Sequence, residues 1–199
     1  MLSVSEESCY TEEMELLRRV GNPPQMPRTD AADVFESRSI HVCYRVDGTL
    51  AAMIRMTAGP NSVFEAWTQG LAAIPTGPSI VDLNRAVVAP PFRRLGLFRL
   101  ATVDSLIRSA AKGFVSAVGV TRPGREIIPA MLEIGFEPAG PEVMVTDPVN
   151  GRFPIQPYVV WNLSQHEARL GLQFEQLRAR LADSGHRVGW SWADRREHK

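Results

Sequence analysis

One stretch of the chain, residues 80–120, has the pattern of a strand, a tight loop, a helix and a second strand. An apolar run at 80–89 ends in two prolines, and an amphipathic segment follows at 97–111. Residues 114–120 are then almost wholly apolar, which is typical of a strand covered on both faces of its sheet. Two strands joined through a helix run parallel with a right-handed crossover. The pattern therefore predicts an α/β fold with a parallel strand pair at its centre.

The loop between this strand and this helix has the residues of an anion site. It reads Arg93-Arg94-Leu95-Gly96 and leads directly into the helix at Leu97. The first N–H groups of a helix have no partner within the helix and carry a partial positive charge, so they bind anions. Two adjacent arginines add fixed positive charge. The loop predicts a site for a phosphate-bearing molecule, and a solvated basic turn is the alternative.

Length and composition limit the class of protein. The 199 residues suit one domain with a full core. Lys+Arg and Asp+Glu both number 22, and this balance argues against nucleic acid as the main partner. No apolar run reaches the roughly 18 residues that a membrane helix needs, and Cys9 and Cys43 form no zinc motif or disulfide framework. We expect a cytoplasmic protein with no metal, membrane or nucleic-acid partner.

The remaining segments complete the expected order of elements. They are a helix at 12–20, a hairpin at 41–57, a helix at 124–134, strands at 143–145 and 158–161, and a helix at 165–181. The apolar stripe of the last helix either packs on its own domain or forms a homodimer contact. We expect a single domain over residues 1–199, with its core at about 10–163 and a C-terminal helix and tail at 164–199.

In this order of elements, and in three local motifs, the chain resembles the GNAT superfamily of acyltransferases. The pyrophosphate loop of that family follows a Val-x-Pro strand end, and here Val-Ala-Pro at 88–90 precedes Arg-Arg-Leu-Gly-Leu-Phe at 93–98. The later helix of the family ends in a Gly-Phe pair, which is present at 135–136, and the family's hairpin corresponds to 41–57. The resemblance implies a mixed central sheet flanked by helices, and a donor that carries a pantetheine thioester.

The resemblance also implies which residues hold that donor, either acyl-CoA or the phosphopantetheine of an acyl carrier protein. They are Val87, Val88, Arg93, Arg94, Leu95, Gly96, Leu97 and Phe98. Phe98 departs from the family pattern, which has Gly or Ala there so that the backbone approaches the pyrophosphate closely. Arg99 is either a further phosphate contact or a surface arginine. The usual general acid of the family, a tyrosine, corresponds to Met131, so no acid is assigned.

A narrower resemblance concerns the central strand. Residues 82–88 read Asp-Leu-Asn-Arg-Ala-Val-Val, similar to the Glu-Leu-Ser-Arg-Phe-Ala-Val strand of acyl-homoserine-lactone and N-acyl amino acid synthases. Those families carry an Asp-x-x-Asp pair ahead of the hairpin and an arginine at the end of its second strand. Asp30, Asp33 and Arg55 occupy comparable places, and with Arg85 they are candidates for the acceptor pocket; an ion network within a loop is the alternative. That branch takes acyl groups from acyl carrier protein, an acidic partner that a basic loop suits.

Asp82 is the candidate general base. Acyl transfer to an amine needs a neutral nucleophile, and an alkyl amine with a pKa of about 10 is mostly protonated at neutral pH. A carboxylate near the donor carbonyl can remove that proton if burial raises its own pKa. Asp82 lies on the central strand among apolar residues, and an ion pair with Arg85 or with an arginine of a neighbouring strand is the alternative. Glu65 and Glu126 are weaker candidates.

Other residues of reactive type are expected to have packing roles. Cys43, Tyr44 and Tyr158 are expected in the core, and His41 is expected to be a packing or surface residue rather than a base. No nucleophile-elbow motif with a Ser-His-Asp order is present, which argues against a hydrolase.

Together the motifs favour an N-acyltransferase that moves an acyl group from an acyl-CoA-type thioester to a small-molecule amine. Three alternatives stay open. The first is a carrier-protein-dependent synthase of N-acyl amino acids or of acyl-homoserine-lactone-like products. The second is a non-catalytic module of the same fold that binds an acyl thioester, and the third is an unrelated α/β binding protein.

Overall fold

The elements of the chain follow the predicted order closely. The computed structural model describes residues 1–8, 11–21, 35–59, 68, 77–147 and 151–183. The strands and helices used below are β1 (Leu2–Glu7), α1 (Glu12–Gly21), β2 (Ser39–Val46), β3 (Thr49–Ala58), β4 (Ile80–Val88), α2 (Leu97–Ala111), β5 (Ser116–Thr121), α3 (Ile128–Ile134), β6 (Glu137–Pro138), β7 (Val143–Asp147), β8 (Gly151–Val160) and α4 (Glu167–Asp183).

The strands form one mixed sheet. Its order is β1-β2-β3-β4-β5-β8-β6, and β7 pairs with the first half of β8. The β4–β5 pair is parallel and the other pairs are antiparallel. Since α2 connects β4 to β5, the predicted strand-helix-strand crossover is confirmed, and so is the predicted mixed α/β sheet flanked by helices with a further helix at the C-terminal side.

The sheet has an apolar core on each face. The larger core includes Tyr44, Ile54 and Leu83 of the sheet together with Leu100 of α2 and Phe174 of α4. On the opposite face, the smaller core consists of apolar residues of α1, of three strands and of the position just after β4: Met14, Leu17, Cys43, Leu50, Met53, Val87 and Ala89. The apolar stripe of α4 thus packs on its own domain, which decides between the two roles that its sequence left open.

Several elements differ from the sequence expectations, and the differences at β1, α3 and β8 are the largest. The edge strand β1 was not expected, because only Leu2 of its residues is buried and so its apolar pattern is weak. The helix expected at 124–134 begins at Ile128, just ahead of a proline in its first turn. The strand expected at 158–161 is the last part of the longer β8, which begins at Gly151. Asn150 of the expected turn lies outside the described residues.

Candidate functional site

The two central strands, β4 and β5, separate in the middle of the sheet. They pair at three positions only, Ile80–Ser116, Val81–Ala117 and Asp82–Val118, and both strands are described in full. Beyond this point β4 continues along β3 as far as the Ala52–Val88 pair. The second half of β4 therefore stays in the sheet through β3 while its ladder with β5 has ended.

A β-bulge lies just beyond the point of separation. Met53 pairs with Val87 and Arg55 pairs with Asn84, so Arg85 and the residue after it share the space opposite a single residue of β3. Arg85 has a φ of 52°, in the left-handed region that side chains other than glycine rarely adopt. A bulge bends its strand and increases the local twist. The bulge is thus a physical reason for β4 to turn away from β5 at this place.

The predicted anion loop connects the end of β4 to α2. Arg93 and Arg94 are exposed, and Arg94 and Gly96 have positive φ values of 67° and 80°. Gly96 is the N-cap of α2 and no side chain caps the helix there, so the N–H groups of the first turn face outward from a 15-residue helix. Backbone N–H groups at a helix N-terminus, with two arginines beside them, are the kind of groups that bind anions.

Two residues next to this loop make contacts within the protein. Phe98 is partly buried and packs against the larger core, so its ring is accommodated within the fold. Arg99 forms an ion pair with Glu133 of α3, with 2.6 Å between Nη1 of the arginine and Oε2 of the glutamate. Of the two roles considered for Arg99, the structure therefore supports a surface arginine that joins two helices.

A polar patch lies on the α1 face of the sheet, beside the point where β4 leaves β5. It has two rows of directly paired residues across β2, β3 and β4, the first being His41, Arg55 and Asn84, and the second Ser39, Thr57 and Asp82. All of them except Asn84 are buried, and Arg55 is only 1% exposed. Buried polar side chains are stable only when hydrogen-bonded, so the contacts within this patch fix its geometry.

The first row is held together through a carboxylate that lies outside the sheet. Arg55 donates from Nε to Oδ1 of Asn84 at 2.6 Å and from Nη1 to Oε2 of Glu36 at 3.3 Å. The other oxygen of Glu36, Oε1, lies 2.6 Å from Nε2 of His41. Glu36 belongs to a short 3-10 turn, Glu36–Arg38, immediately before β2. The turn is thereby tied to two strands of the sheet.

The second row is joined to the first through Asn84. Its Nδ2 donates to Oγ1 of Thr57 at 3.1 Å and to the backbone oxygen of Asp82 at 3.2 Å. Oγ1 of Thr57 lies 2.9 Å from Oγ of Ser39, which itself donates to the carbonyl of Phe35. Since the Ser39 proton is used there, the Thr57 hydroxyl donates to Ser39 while it accepts from Asn84.

The histidine of the patch is held in its neutral form. Burial lowers the pKa of His41, and the nearby positive charges of Arg55 and Arg85 lower it further. The hydrogen bond and the charge of Glu36 act in the opposite direction without reversing the shift. His41 is therefore a buried, hydrogen-bonded residue, within the packing role expected for it.

The structure describes some of the residues predicted for the reaction and the acceptor pocket, but not all of them. Asp82 is 1% exposed and lies at the last paired position of β4 and β5, while Arg55 is in the adjacent row. Arg85, on the bulge, is close enough to His41 to affect its pKa. Asp30 and Asp33 lie outside the described residues, and their role stays a prediction. Asp82, Arg55 and Arg85 are thus brought to one end of the split between the strands.

Sequence reasoning did not select Glu36 or Asn84. The signal that marks this patch is a polar residue at i and i+2 in each of three largely apolar strands, at 39 and 41, 55 and 57, and 82 and 84. Such spacing places both side chains on one face of a strand. Glu36 carries no signal of this kind, because a 3-10 turn brings it to the patch.

The other reactive residues lie in the core, as expected. Cys43 is fully buried, and burial raises the pKa of its thiol to about 12, so it is not a nucleophile at neutral pH. Tyr44 donates to Oδ2 of Asp104 at 2.6 Å within the larger core, and Tyr158 and Met131 are buried there as well.

In the part of the chain that the structure describes, no three His, Cys, Asp or Glu residues are grouped as a metal site requires. The same residues include no helix that could span a membrane.

Comparisons with known proteins agree with this architecture. No protein-family model and no curated protein matches the sequence. Among solved structures, a CoA-dependent acyl-homoserine lactone synthase, BjaI, solved with MTA, matches with a TM-score of 0.62 and 15% identity over 88% of this chain and 89% of that chain. BjaI solved with SAM and isopentyl-CoA gives a TM-score of 0.62 at 14% identity, again over 88% of this chain and 89% of that one.

Two acetyltransferases are similar over most of their own length. A Bacillus subtilis acetyltransferase in complex with CoA matches with a TM-score of 0.59 and 11% identity, over 81% of this chain and 99% of that one. An acetyltransferase of the GNAT family from Streptococcus pneumoniae matches with a TM-score of 0.57 and 13% identity, also over 81% and 99%. The chain has the GNAT fold.

Proposed function

We propose that this chain is an N-acyltransferase that moves an acyl group from a pantetheine thioester to the amine of a small molecule. The observation that carries the proposal is the alignment of three features along β4. The anion loop follows its end, the separation from β5 runs along its second half, and the polar patch lies beside its middle. A donor with phosphates at one end and a reactive carbonyl at the other fits this arrangement.

The phosphates of the donor would bind at the loop. The first-turn N–H groups after Gly96 and the side chains of Arg93 and Arg94 supply the positive potential there. The pantetheine arm would extend along β4, with its amides pairing to the backbone of Leu83–Val88 as a strand does. These six residues span about 20 Å at about 3.3 Å each, comparable to an extended pantetheine arm. Val87 and Val88, predicted to hold the arm, lie in this segment.

The reaction would take place where the ladder between the strands ends. The amine nitrogen attacks the thioester carbonyl carbon, the C–S bond of the tetrahedral intermediate breaks, and the donor leaves as a thiolate. Asp82, buried at this position, would take a proton from the ammonium group of the acceptor and so give the neutral amine that attacks. A backbone N–H of β4 would donate to the developing oxyanion. A thiolate has a low enough proton affinity to leave without a general acid, consistent with the burial of Met131 in the core.

The acceptor would bind on the polar patch. Asn84 is its partly exposed member, and Arg55 and Arg85 provide two positive charges beside it. An amine that also carries a carboxylate or another polar group would be oriented by these side chains. Asp30 and Asp33 are proposed for the same pocket from the sequence alone.

A second candidate is a synthase that acylates an amino acid derivative, with acyl carrier protein as its donor. The synthase reaction is favoured by the similarity to BjaI, which covers 88% of this chain, but BjaI is CoA-dependent and was solved with isopentyl-CoA, so this similarity does not favour the carrier protein as donor. The exposed Arg93 and Arg94 would meet the acidic surface of a carrier protein. A non-catalytic module that binds an acyl thioester is a third candidate. Under the first two candidates, the amine acceptor occupies the polar patch.

Donor binding tests the proposal directly. Thermal unfolding is measured with free CoA, acetyl-CoA and octanoyl-CoA, for the wild type, for Arg93→Ala/Arg94→Ala, and for Arg178→Ala/Arg180→Ala as a control of equal charge on α4. We expect CoA to raise the midpoint of the wild type and of the control, and not of the loop variant. A shift with octanoyl-CoA alone would favour the carrier-protein synthase. If no thioester shifts the midpoint and acyl carrier protein does not bind, the proposal is wrong.

A further inference from the structure

The carboxylate of Glu36 is held from two sides, by a histidine and by an arginine. His41 and Arg55 are direct cross-strand neighbours on β2 and β3, and each contacts one oxygen of Glu36. Arg55 in turn contacts Asn84, the partly exposed member of the polar patch. We propose that His41 is a positioning residue: through Glu36 it fixes the guanidinium of Arg55 and the amide of Asn84 in the acceptor pocket. This inference rests on the proposed function, which assigns the patch to the acceptor.

The donor and acceptor atoms of this contact follow from its chemistry. A carboxylate that faces a guanidinium only accepts hydrogen bonds, so Nε2 of His41 is the nitrogen that carries the proton in the 2.6 Å contact. Charged groups face the ring from the turn before β2, from β3 and from β4: Glu36, Arg55 and Arg85. Burial of the ring, and then the charges of the two arginines, lower its pKa and favour the neutral form. His41 therefore acts as a fixed N–H donor, in a single tautomer.

Arg55 alone would hold Glu36 loosely. Their contact is 3.3 Å long, at the far end of the hydrogen-bond range, whereas the His41 contact is 2.6 Å. Glu36 also belongs to a short turn outside the sheet, so the pairing of strands does not fix the position of its side chain. With His41 on Oε1, the plane of the carboxylate is set, and Oε2 faces Arg55. The Nε of Arg55 is then aimed at Asn84, at the place where β4 leaves β5.

The experiment observes the two side chains without any ligand. Nitrogen-15 spectra of the imidazole ring report the tautomer of His41, and the Nε–H signal of Arg55 reports its hydrogen bond to Asn84. The variants are His41→Phe, which keeps a buried ring without the donor, and His41→Gln, whose amide N–H can still reach Glu36. Val42→Ala is the control, because it leaves a cavity on the opposite face of β2 and removes no polar group.

We expect the wild-type ring to be neutral with its proton on Nε2. Exchange of the Arg55 Nε–H with solvent should be about tenfold faster in His41→Phe, and close to the wild-type rate in His41→Gln and Val42→Ala. A proton on Nδ1, or an Arg55 signal that His41→Phe leaves unchanged, would overturn the proposal. If His41→Phe fails to fold, the ring tautomer and the His41→Gln spectrum decide. This experiment uses no donor, so its outcome does not depend on CoA binding. A failure to bind CoA would overturn the proposed function, whereas a negative NMR result would overturn only the role of His41.

Discussion

The backbone oxygen of Leu83 lies so close to Gly119 that a Cβ on the glycine would be 3.0 Å from it. Leu83 is the first residue of β4 beyond the last pair with β5, and Gly119 is the first of β5 beyond the same pair. The two strands are therefore still close together where their separation begins. The absence of a side chain at position 119 permits this approach. The neighbouring atom is a backbone oxygen, which cannot move aside as the end of a side chain can.

We predict that Gly119→Ala destabilises the protein by about 1–3 kcal/mol, as overpacking of a dense region does. The matched control is Gly171→Ala in α4, where a Cβ meets no atom within 4 Å. There the substitution should raise the free energy of unfolding by about 0.5–1 kcal/mol, because alanine favours a helix. Urea unfolding of both variants checks this. Equal effects of the two substitutions would show that β4 adjusts to the added methyl group without cost.

The bulge on β4 gives a second prediction. Arg85 has a φ of 52°, which costs a side chain with a Cβ about 1–2 kcal/mol relative to the usual region. Arg85→Gly and Arg85→Ala both remove the guanidinium, but only the glycine variant removes the backbone strain. We expect Arg85→Gly to be more stable than Arg85→Ala by about 1 kcal/mol in urea unfolding. Alanine equal to or better than glycine would mean that β4 has another conformation at this residue.

The sequence predicts the parts of this fold whose signals are local. The hairpin of β2 and β3 follows from alternation around Asp47-Gly48, and the β4-α2-β5 crossover follows from apolar runs on either side of an amphipathic segment. The polar patch escapes such reasoning because β4 is distant in the chain from the hairpin of β2 and β3, and because a register shift at Tyr44 and Arg45 changes the pairing within the hairpin. Only the register of β2, β3 and β4 places His41 beside Arg55, and Arg55 beside Asn84.

The anion loop could also be predicted from local sequence, whereas the separation of the strands could not. The loop could be predicted because Gly96 and its arginines are adjacent in sequence and immediately precede a helix. The separation depends on a bulge at Arg85. This position has a left-handed backbone but is not a glycine, so nothing in the sequence marks it. Sequence reasoning therefore located the loop before α2, whereas it did not locate the bulge and the separation of β4 from β5.

Acid should weaken the fold through His41. The pKa of this residue lies below its usual value in the folded protein, because it is buried near Arg55 and Arg85. Below about pH 6.5 the unfolded chain takes up a proton that the folded chain does not, so stability is present above that pH and falls as the pH decreases. The slope reaches at most about 1.4 kcal/mol per pH unit for one such group.

The measurement compares the wild type with His41→Gln, which cannot titrate. The free energy of unfolding in urea is determined for both at about pH 7.5 and about pH 5.5. We expect the wild type to lose more stability between these values than the variant does. An identical loss in both proteins would show that His41 does not contribute to the acid sensitivity of the fold.

A buried charge on the other face of the sheet gives a fourth prediction. Asp104 is fully buried, and its Oδ2 accepts from the hydroxyl of Tyr44 and, at 2.9 Å, from Nε of Arg108. Removal of one donor leaves a buried carboxylate less well satisfied, so Tyr44→Phe should cost about 1–3 kcal/mol. Tyr158→Phe is the control, since no hydrogen bond of the Tyr158 hydroxyl is present among the described residues. Urea unfolding should show a much smaller effect there, and equal effects would contradict the proposed importance of the Asp104 contact.

Asp82 and the arginines of the loop should fail in different steps of the proposed reaction. Asp82 lies at the end of the β4–β5 ladder, about 20 Å along β4 from the loop, so Asp82→Asn should leave CoA binding intact. As loss of a general base, it should lower the rate of amine-dependent thiol release from acyl-CoA by about 10²–10⁴-fold.

The amine is chosen by a screen of amino acids and amino acid derivatives with the wild type. Raising the pH should restore part of the Asp82→Asn rate, because more of the amine is then neutral without help. Arg93→Ala/Arg94→Ala should instead raise the KM for acyl-CoA and leave the pH profile unchanged. An Asp82→Asn protein with wild-type turnover would show that the ammonium proton leaves by another route.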